Sequence, residues 1–244
     1  MPNFCCYPLS TFFISFFAFK TTNAQAPSSV KQSASFDNAR SWFQKETGGD
    51  AHLYTGKEYT GFEAKIAGDP YFAFSQMQNA DLFYNGTFYQ NIPLLFDAVR
   101  QEVVINSFNQ EARIKLLNEK IKYFILGGHR FENISMVEGN DGNISNGIFD
   151  VAFSGAASVL IKRAKRIFKA LKAEEQDSFI EADEFFIRNG KNFYPVDNRN
   201  SVIEALNDKK DLIKTYIRKN RFSFKKNFEK ELIITTTYYS TLKI

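Results

Sequence analysis

Alternation of apolar and polar residues dominates the middle of the chain, and this period of two predicts β-strands. The clearest stretch covers residues 81–106, where Asn85-Gly86 separates two alternating runs. An Asn-Gly pair supplies the positive φ angles that a tight hairpin requires. A second pair, Asn189-Gly190, separates two later runs in the same way. The sequence therefore predicts at least two β-hairpins within an antiparallel meander.

Further alternating runs flank the first hairpin, and the pattern changes only near the C-terminus. Strands are expected at 112–117, 121–126, 129–135 and 148–154. After residue 198 the apolar residues recur at helical spacing, which predicts three helices, the first capped by Asn200 or Ser201. We expect a mainly β (α+β) fold: an antiparallel meander sheet, a sandwich or an open barrel, with a small C-terminal helical cap. Residues 51–198 would form the β body, and residues 199–244 would pack on it as helices.

The segment 156–172 fits two different patterns. Its apolar residues recur at helical spacing between basic side chains, which favours an amphipathic helix. Such a helix could dock the basic segment 159–172 on anionic lipid. A strand is the alternative, because a helix here would interrupt a run of strands. The basic candidates for binding in this segment are Lys162, Arg163, Lys165 and Arg166.

The first 24 residues have the features of a secretory signal peptide. Their apolar run, residues 9–19, is too short to span a bilayer core, and small residues precede a cleavage position before Gln25. No Lys or Arg precedes the run, so an uncleaved anchor or a misassigned start stays open. Residues 25–50 would form a flexible lead-in with a short helix. We expect an exported protein in the periplasm, at the outer-membrane periphery or outside the cell, with no transmembrane span in the mature chain.

Charge is spread unevenly along the chain. The formal net charge is +4, but residues 162–244 carry 19 basic and 12 acidic side chains. A basic half can indicate an anionic partner or only a solvated face, and export argues against nucleic acid. Both cysteines, Cys5 and Cys6, lie in the signal segment, so the mature chain would contain no disulfide.

Few residues in the sequence offer chemistry. The mature chain has no cysteine and only His52 and His129, so neither a zinc site nor a cofactor is expected. The segment 141–145 opens like a calcium loop, but its twelfth position is Ala152 where a glutamate is required. Carboxylates at predicted strand ends could serve a carbohydrate-active hydrolase, and the candidates are Asp81, Asp97, Glu102 and Asp150.

Several aromatic and turn motifs resemble a known group of sequences. They include Leu-Tyr-Thr-Gly-Lys-Glu-Tyr at 53–59, Gly-Asp-Pro-Tyr-Phe at 68–72, Tyr-Asn-Gly-Thr-Phe-Tyr at 84–89, Leu-Leu-Phe-Asp at 94–97 and a final Tyr238-Tyr239. In this order they resemble exported hypothetical proteins of the Bacteroidota, a group that has no assigned activity. The resemblance covers nearly the whole mature chain and implies that 156–168 is a strand after a tight turn.

These observations favour a non-enzymatic binding or structural module of the cell envelope. Tyrosine rings could stack on a sugar or contact a protein, and the candidates are Tyr71, Tyr84 and Tyr89. Possible partners are an envelope protein, a glycan or an anionic lipid surface. The alternatives are a carbohydrate-active hydrolase with two strand-end carboxylates and a peripheral membrane protein docked by the basic segment 159–172.

Overall fold

A computed structural model describes residues 53–62, 66–134, 147–172 and 175–243. The expected signal segment at 1–24, the lead-in at 25–50 and the calcium-like loop at 141–145 lie outside these residues and stay predictions. All of the described residues belong to one compact unit.

Most of the described chain forms one large antiparallel sheet, which confirms the mainly β fold. The strands, numbered in chain order, are β1 (Lys57–Glu58), β2 (Gln78–Tyr84), β3 (Thr87–Asp97), β4 (Glu102–Asn106), β5 (Arg113–Lys115), β6 (Ile121–Leu126), β7 (His129–Ile134), β8 (Gly147–Phe153), β9 (Ala157–Lys162), β10 (Lys165–Phe168), β11 (Ser178–Glu181), β12 (Glu184–Asn189) and β13 (Asn192–Pro195). Eleven of them share the order β1-β5-β4-β3-β2-β6-β7-β8-β9-β12-β13, and β10 pairs separately with β11. The large sheet is open rather than closed into a barrel.

Both expected hairpins form, but only Asn85-Gly86 makes a turn as a pair; in the second hairpin Asn189 pairs with Asn192, so the turn residues are Gly190 and Lys191. Asn85 and Gly86 have φ angles of 48° and 81° between β2 and β3, and Gly190 has a φ of 64° between β12 and β13. The first turn sets the register in which Tyr84 pairs with Thr87. Positive φ at adjacent positions matches the right-handed twist of the flanking strands.

The meander is interrupted between β5 and β6. β5 pairs with β4, whereas β6 pairs with β2 on the other side of β3. In a flat sheet these two strands would lie about 19 Å apart, at about 4.8 Å per neighbouring pair. The connection is residues 116–120, and the 3₁₀-helix Asn118–Lys120 shortens its reach. We infer that this half of the sheet curls, a shape helped by the irregular register between Ala80 and Leu82.

Two large hydrophobic cores and two smaller clusters lie on the sheet in the described residues. The first core is formed by the inward faces of β2 to β8 and includes Leu82, Tyr84, Leu94, Phe96, Phe124 and Phe131. The second core lies between the helices and strands β9, β12 and β13, and it includes Val159, Ile161, Ile187, Ile213 and Leu232. Alternation along each strand directs these residues to one face.

Three α-helices complete the described part of the fold: α1 (Arg199–Ala205), α2 (Lys210–Lys219) and α3 (Phe228–Thr241). The first begins at Asn198 rather than at the expected cap, because the Asn198 side chain accepts hydrogen bonds from the backbone N–H groups of Asn200 and Ser201. α3 is helical despite its β-branched residues, since one of its faces packs on the sheet. No helix within the described ranges combines the length and the apolar character needed to cross a bilayer.

The segment 156–172 is a pair of strands, β9 and β10, and not a helix. Both faces of β9 are buried: Val159 and Ile161 contact the second core, while Leu160 packs on Phe149 and Phe186 on the opposite face. A strand buried on both faces has a continuous apolar run, so its period of two is lost from the sequence. The sequence pattern did not predict β11, the strand that pairs with β10 in the small sheet.

Substitution of Thr236 by valine should increase the free energy of unfolding by about 1 kcal/mol. Thr236 is fully buried in α3, and its hydroxyl has no hydrogen-bond partner among the described residues. Valine has a similar shape and leaves no polar atom unsatisfied. Urea denaturation measures the change. The exposed neighbour Thr237, whose hydroxyl donates to the Ile233 carbonyl, is the matched control, and its valine variant should show no gain; equal gains at both positions would contradict the interpretation.

Candidate functional site

A buried arginine lies where the large sheet meets the helices. Arg163 occupies the bend between β9 and β10, and 8% of its side chain is exposed. Its guanidinium contacts three carboxylates: Asp150 in β8, Asp183 just before β12, and Glu229 in the first turn of α3. We call these four residues the Arg163 cluster. The cluster connects two strands, a bend and a helix that are far apart in the sequence.

Arg163 donates four hydrogen bonds to carboxylates. Nε lies 2.9 Å from Asp150 Oδ2, and Nη2 makes an ion-pair contact of 2.8 Å with the same oxygen. Nη1 lies 2.8 Å from both Asp183 Oδ2 and Glu229 Oε2, and Nη2 lies 2.7 Å from Glu229 Oε1. Arg163 was expected on an exposed basic surface, but it is buried and its guanidinium contacts carboxylates of the same chain. Its role in this structure is to join the surrounding elements.

Electrostatics keep this arginine charged. Burial by itself lowers the pKa of Arg163, but hydrogen bonds to Glu229 and Asp183, together with the charge of Asp150, outweigh burial and raise the pKa above its ordinary value. Of the three carboxylates, Asp150 is 1% exposed, whereas Asp183 and Glu229 are 21% and 38% exposed. Asp150 is therefore the carboxylate that depends most on the arginine for compensation of a buried charge.

Two rings extend the cluster toward the first core. His129 Nδ1 lies 2.8 Å from Asp150 Oδ2, and the Phe72 ring packs edge-on to His129 at 5.1 Å. The Arg163 guanidinium also lies 5.5 Å from the centre of the Phe72 ring. Phe72 in turn contacts Phe131 of the first core. His129, at the start of β7, is thus part of the network around the buried Asp150.

Three surface depressions meet at Phe185 in β12. A polar cleft of about 480 Å³ lies beside the cluster and is lined by Phe72, Lys165, Asp183, Phe185 and Glu229, among others. A second depression of about 460 Å³ extends from Phe185 toward Pro195 and Val196. An apolar groove of about 660 Å³ lies between Phe185 and α3. We call these three depressions together the Phe185 surface.

The other predicted basic residues do not form a positive face. Lys162 is half-buried at the end of β9, and Lys165 Nζ donates to the Asp69 carbonyl at 3.0 Å. Further along the segment, Lys169 pairs with Asp177 and Lys172 with Glu175. Arg166 is exposed and makes no ion pair with the described residues. The acidic side chains that follow the basic segment neutralise most of its charge, so lipid docking by 159–172 loses its electrostatic support.

The predicted tyrosines are core residues in this structure. Tyr84 is fully buried, and Tyr71 and Tyr89 are 8% and 6% exposed. Tyr84 and Tyr89 belong to the first core, and Tyr71 packs with Leu95 and Val104 on the opposite face. Their rings are not presented to solvent, so the expected stacking surface is not formed by these residues.

The four predicted carboxylates all have hydrogen-bond or ion-pair partners within the chain. Asp97 is buried and accepts hydrogen bonds from the Tyr59 hydroxyl at 2.8 Å and from two backbone N–H groups of the following turn. Glu102 pairs with Lys115, and Asp81 accepts from the backbone N–H of Asn91. Asp150, the fourth candidate, lies in β8 and belongs to the Arg163 cluster. None of the four lines the polar cleft in the described structure.

Tyr59 provides a pH-dependence prediction. Burial, followed by its hydrogen bonds with Tyr71 and Asp97, raises the pKa of Tyr59 well above its usual value. In the unfolded chain, Tyr59 ionises at about pH 10, whereas in the folded protein it stays protonated above that pH. Ionisation therefore stabilises only the unfolded state at high pH. The stability that protonated Tyr59 contributes is therefore fully present below about pH 10 and is lost at higher pH. Above this pH the free energy of unfolding should fall more steeply in the wild type than in Tyr59→Phe. Urea denaturation across this range measures both slopes, and parallel slopes would contradict the prediction.

Three residues of the site were missed by the sequence analysis: Asp183, Phe185 and Glu229. Asp183 precedes a predicted hairpin and Glu229 lies in a predicted helix, and both patterns are typical of solvated positions. Their positions relative to Arg163 are set by tertiary contacts over 20 and 66 residues. The one local signal was a basic residue two positions after the apolar run Val159-Leu160-Ile161.

Potential metal ligands are not grouped in this part of the fold. Among the residues that the structure describes, no three His, Cys, Asp or Glu side chains are arranged to hold a metal ion.

Comparisons of the chain with protein-family models, curated proteins and solved structures found no match to any of them.

Proposed function

We propose that this protein is a non-enzymatic binding module of the cell envelope and that it binds its ligand at the Phe185 surface. The observation that carries this proposal is the convergence of three depressions, each of about 460–660 Å³, on one half-buried aromatic ring. Ligand sites are typically concave, of about 300–1,000 Å³, and combine apolar lining with a few polar groups. The Phe185 surface has this character.

Charge pairing in the cleft favours binding over catalysis. Asp183 and Glu229 share the cleft, and both contact Nη1 of Arg163 at 2.8 Å, which places their bonded oxygens within roughly 6 Å. A glycosidase could use such a spacing, but both carboxylates already accept hydrogen bonds from Arg163. The hydrolase alternative therefore has the spacing, whereas the contacts of the two carboxylates favour a structural role for them.

The cellular location belongs to the same proposal. Its support is the predicted signal segment at 1–24 and the resemblance to exported Bacteroidota proteins. Glycans, envelope proteins and lipids are the partners that such a location would offer. A peripheral membrane attachment through 159–172 is less well supported, because acidic neighbours pair with the basic side chains there.

Thermal unfolding with a ligand panel tests the proposal. Soluble glycan fragments, envelope peptides and monomeric lipids are added separately to the wild type, to Phe185→Ala and to the control Phe108→Ala, in which an exposed loop ring is removed. A ligand at about 100 times its Kd should raise the Tm by about 5–10 °C. The shift should persist in the control and largely disappear in Phe185→Ala, and mass spectrometry should recover the ligand unchanged. Hydrolysis of the ligand, or no shift from any class, would contradict the proposal.

A further inference from the structure

The apolar groove of the Phe185 surface has an aromatic and aliphatic floor. Phe185 of β12 and Phe228 of α3 meet edge to face at 5.0 Å, and Ile233 and Ile234 continue the floor along α3. All four side chains are only partly buried. The volume of about 660 Å³ is larger than that of the neighbouring polar cleft. Such a floor offers contact to an apolar chain but few partners for hydroxyl groups.

Cationic side chains stand at the rim of this groove. Lys226 and Lys230 line it, are exposed, and make no ion pair with the described residues. The two acidic residues nearby have other partners: Glu229 contacts Arg163, and Glu231 accepts from the backbone N–H of Phe224. Neither carboxylate forms an ion pair with Lys226 or Lys230 in the described structure, so both ammonium groups are open to an anionic ligand.

We propose that the groove binds a single-chain anionic amphiphile, with its acyl chain on the apolar floor and its carboxylate beside Lys226 and Lys230. This inference rests on the proposed binding function of the Phe185 surface and names the ligand class. Burial of the chain removes apolar area from water, and the two ammonium groups are complementary to the acid head. A sugar would leave hydroxyl groups unpaired on this floor.

A second copy of the chain is a poorer occupant of the same groove. A two-fold contact places the same patch of both subunits face to face. Lys226 and Lys230 of the two copies would then approach one another, while Glu229 of the same patch already contacts Arg163. Like charges at a contact oppose association, so charge complementarity favours the small anionic ligand.

Calorimetric titration with monomeric dodecanoate tests this inference, and dodecyltrimethylammonium provides the same chain with the opposite head charge. Wild-type protein should bind dodecanoate at one site, at least about tenfold more tightly than the cationic probe. Lys226→Glu/Lys230→Glu should weaken dodecanoate binding by about tenfold or more. The control Lys57→Glu/Lys191→Glu, which makes the same charge change at exposed positions of β1 and the β12–β13 turn, should change it less than about twofold.

Several results would overturn the inference. Equal binding of both probes, or an unchanged affinity in Lys226→Glu/Lys230→Glu, would show that the rim lysines do not select the head group. Binding to anionic vesicles without binding to monomeric dodecanoate would assign the surface to a membrane, and a dimer in light scattering that dodecanoate does not dissociate would assign it to a second copy. If dodecanoate does not bind but a glycan or peptide still raises the Tm in a manner that depends on Phe185, only the ligand class is rejected. If no ligand of any class raises the Tm, the binding function is rejected too.

Discussion

Replacement of Arg163 by methionine should lower the free energy of unfolding by about 3–5 kcal/mol. The substitution keeps an apolar stem of similar length but removes the only cation that contacts Asp150, Asp183 and Glu229 among the described residues. Asp150 is 1% exposed and would retain an uncompensated buried charge apart from its contact with His129. Urea denaturation at neutral pH measures the loss.

Arg166→Met is the matched control for this experiment. Arg166 lies three residues further along the same segment, is exposed and makes no ion pair with the described residues, so its loss should change stability by less than about 0.5 kcal/mol. If Arg163→Met does not fold, Arg163→Lys keeps the cation but cannot contact Glu229 through two parallel N–H groups, so it should still be less stable than the wild type. Equal stability of the two methionine variants, or an Arg163→Lys variant as stable as the wild type, would contradict the structural role of the cluster.

Truncation of Phe131 to alanine should also cost about 3–5 kcal/mol. Phe131 is fully buried in β7 and stacks on Phe124 with ring centres 4.6 Å apart. It also contacts Phe96 at 5.3 Å and Phe72 at 5.2 Å, so its removal leaves a cavity with aromatic walls that cannot collapse fully. The loss is measured by the same denaturation method.

The control for this truncation is Phe108→Ala. Phe108 is 77% exposed in the β4–β5 turn, and its one aromatic contact is an edge-on approach to Tyr54 among the described rings. Its truncation should cost less than about 1 kcal/mol. Comparable losses at Phe131 and Phe108 would mean that the first core is not packed as the structure shows.

The Arg163 cluster and the Phe185 surface are parts of one arrangement. Glu229 ties the first turn of α3 to the bend after β9, and Asp183 ties the start of β12 to the same guanidinium. The apolar groove lies along these two elements, with Phe185 and Phe228 in its floor. The cluster therefore holds in place the two elements that form the groove, and its loss should weaken binding as well as stability.

Local patterns in the sequence were sufficient to predict most strands of the meander and both hairpins. The Asn85-Gly86 turn formed as expected, whereas the second hairpin turns one residue later than expected, at Gly190-Lys191. The segment 156–172 could not be assigned from its periodicity, because β9 is buried on both faces. The pairing of β6 with β2 was not predictable either, since it depends on curling of the sheet around the first core.

The site was much less accessible to sequence reasoning than the fold. Tyr84 appeared to be a candidate for ligand contact, but the side of a strand that faces the core depends on register. Arg163 was selected for its charge, and its burial among carboxylates arises only when β8, the start of β12 and α3 come together. Glu229 belongs to the site only because α3 packs against the sheet in this orientation.

The most direct test of the binding function is an NMR titration of protein labelled at isoleucine methyl groups. Ile233 and Ile234 lie in the apolar groove, whereas Ile105 in the first core is a distant reference. Addition of the ligand class that raises the Tm should shift the Ile233 and Ile234 methyl resonances in a saturable manner and leave Ile105 unchanged. Saturable shifts elsewhere, with Ile233 and Ile234 unaffected, would contradict the assignment of binding to the Phe185 surface.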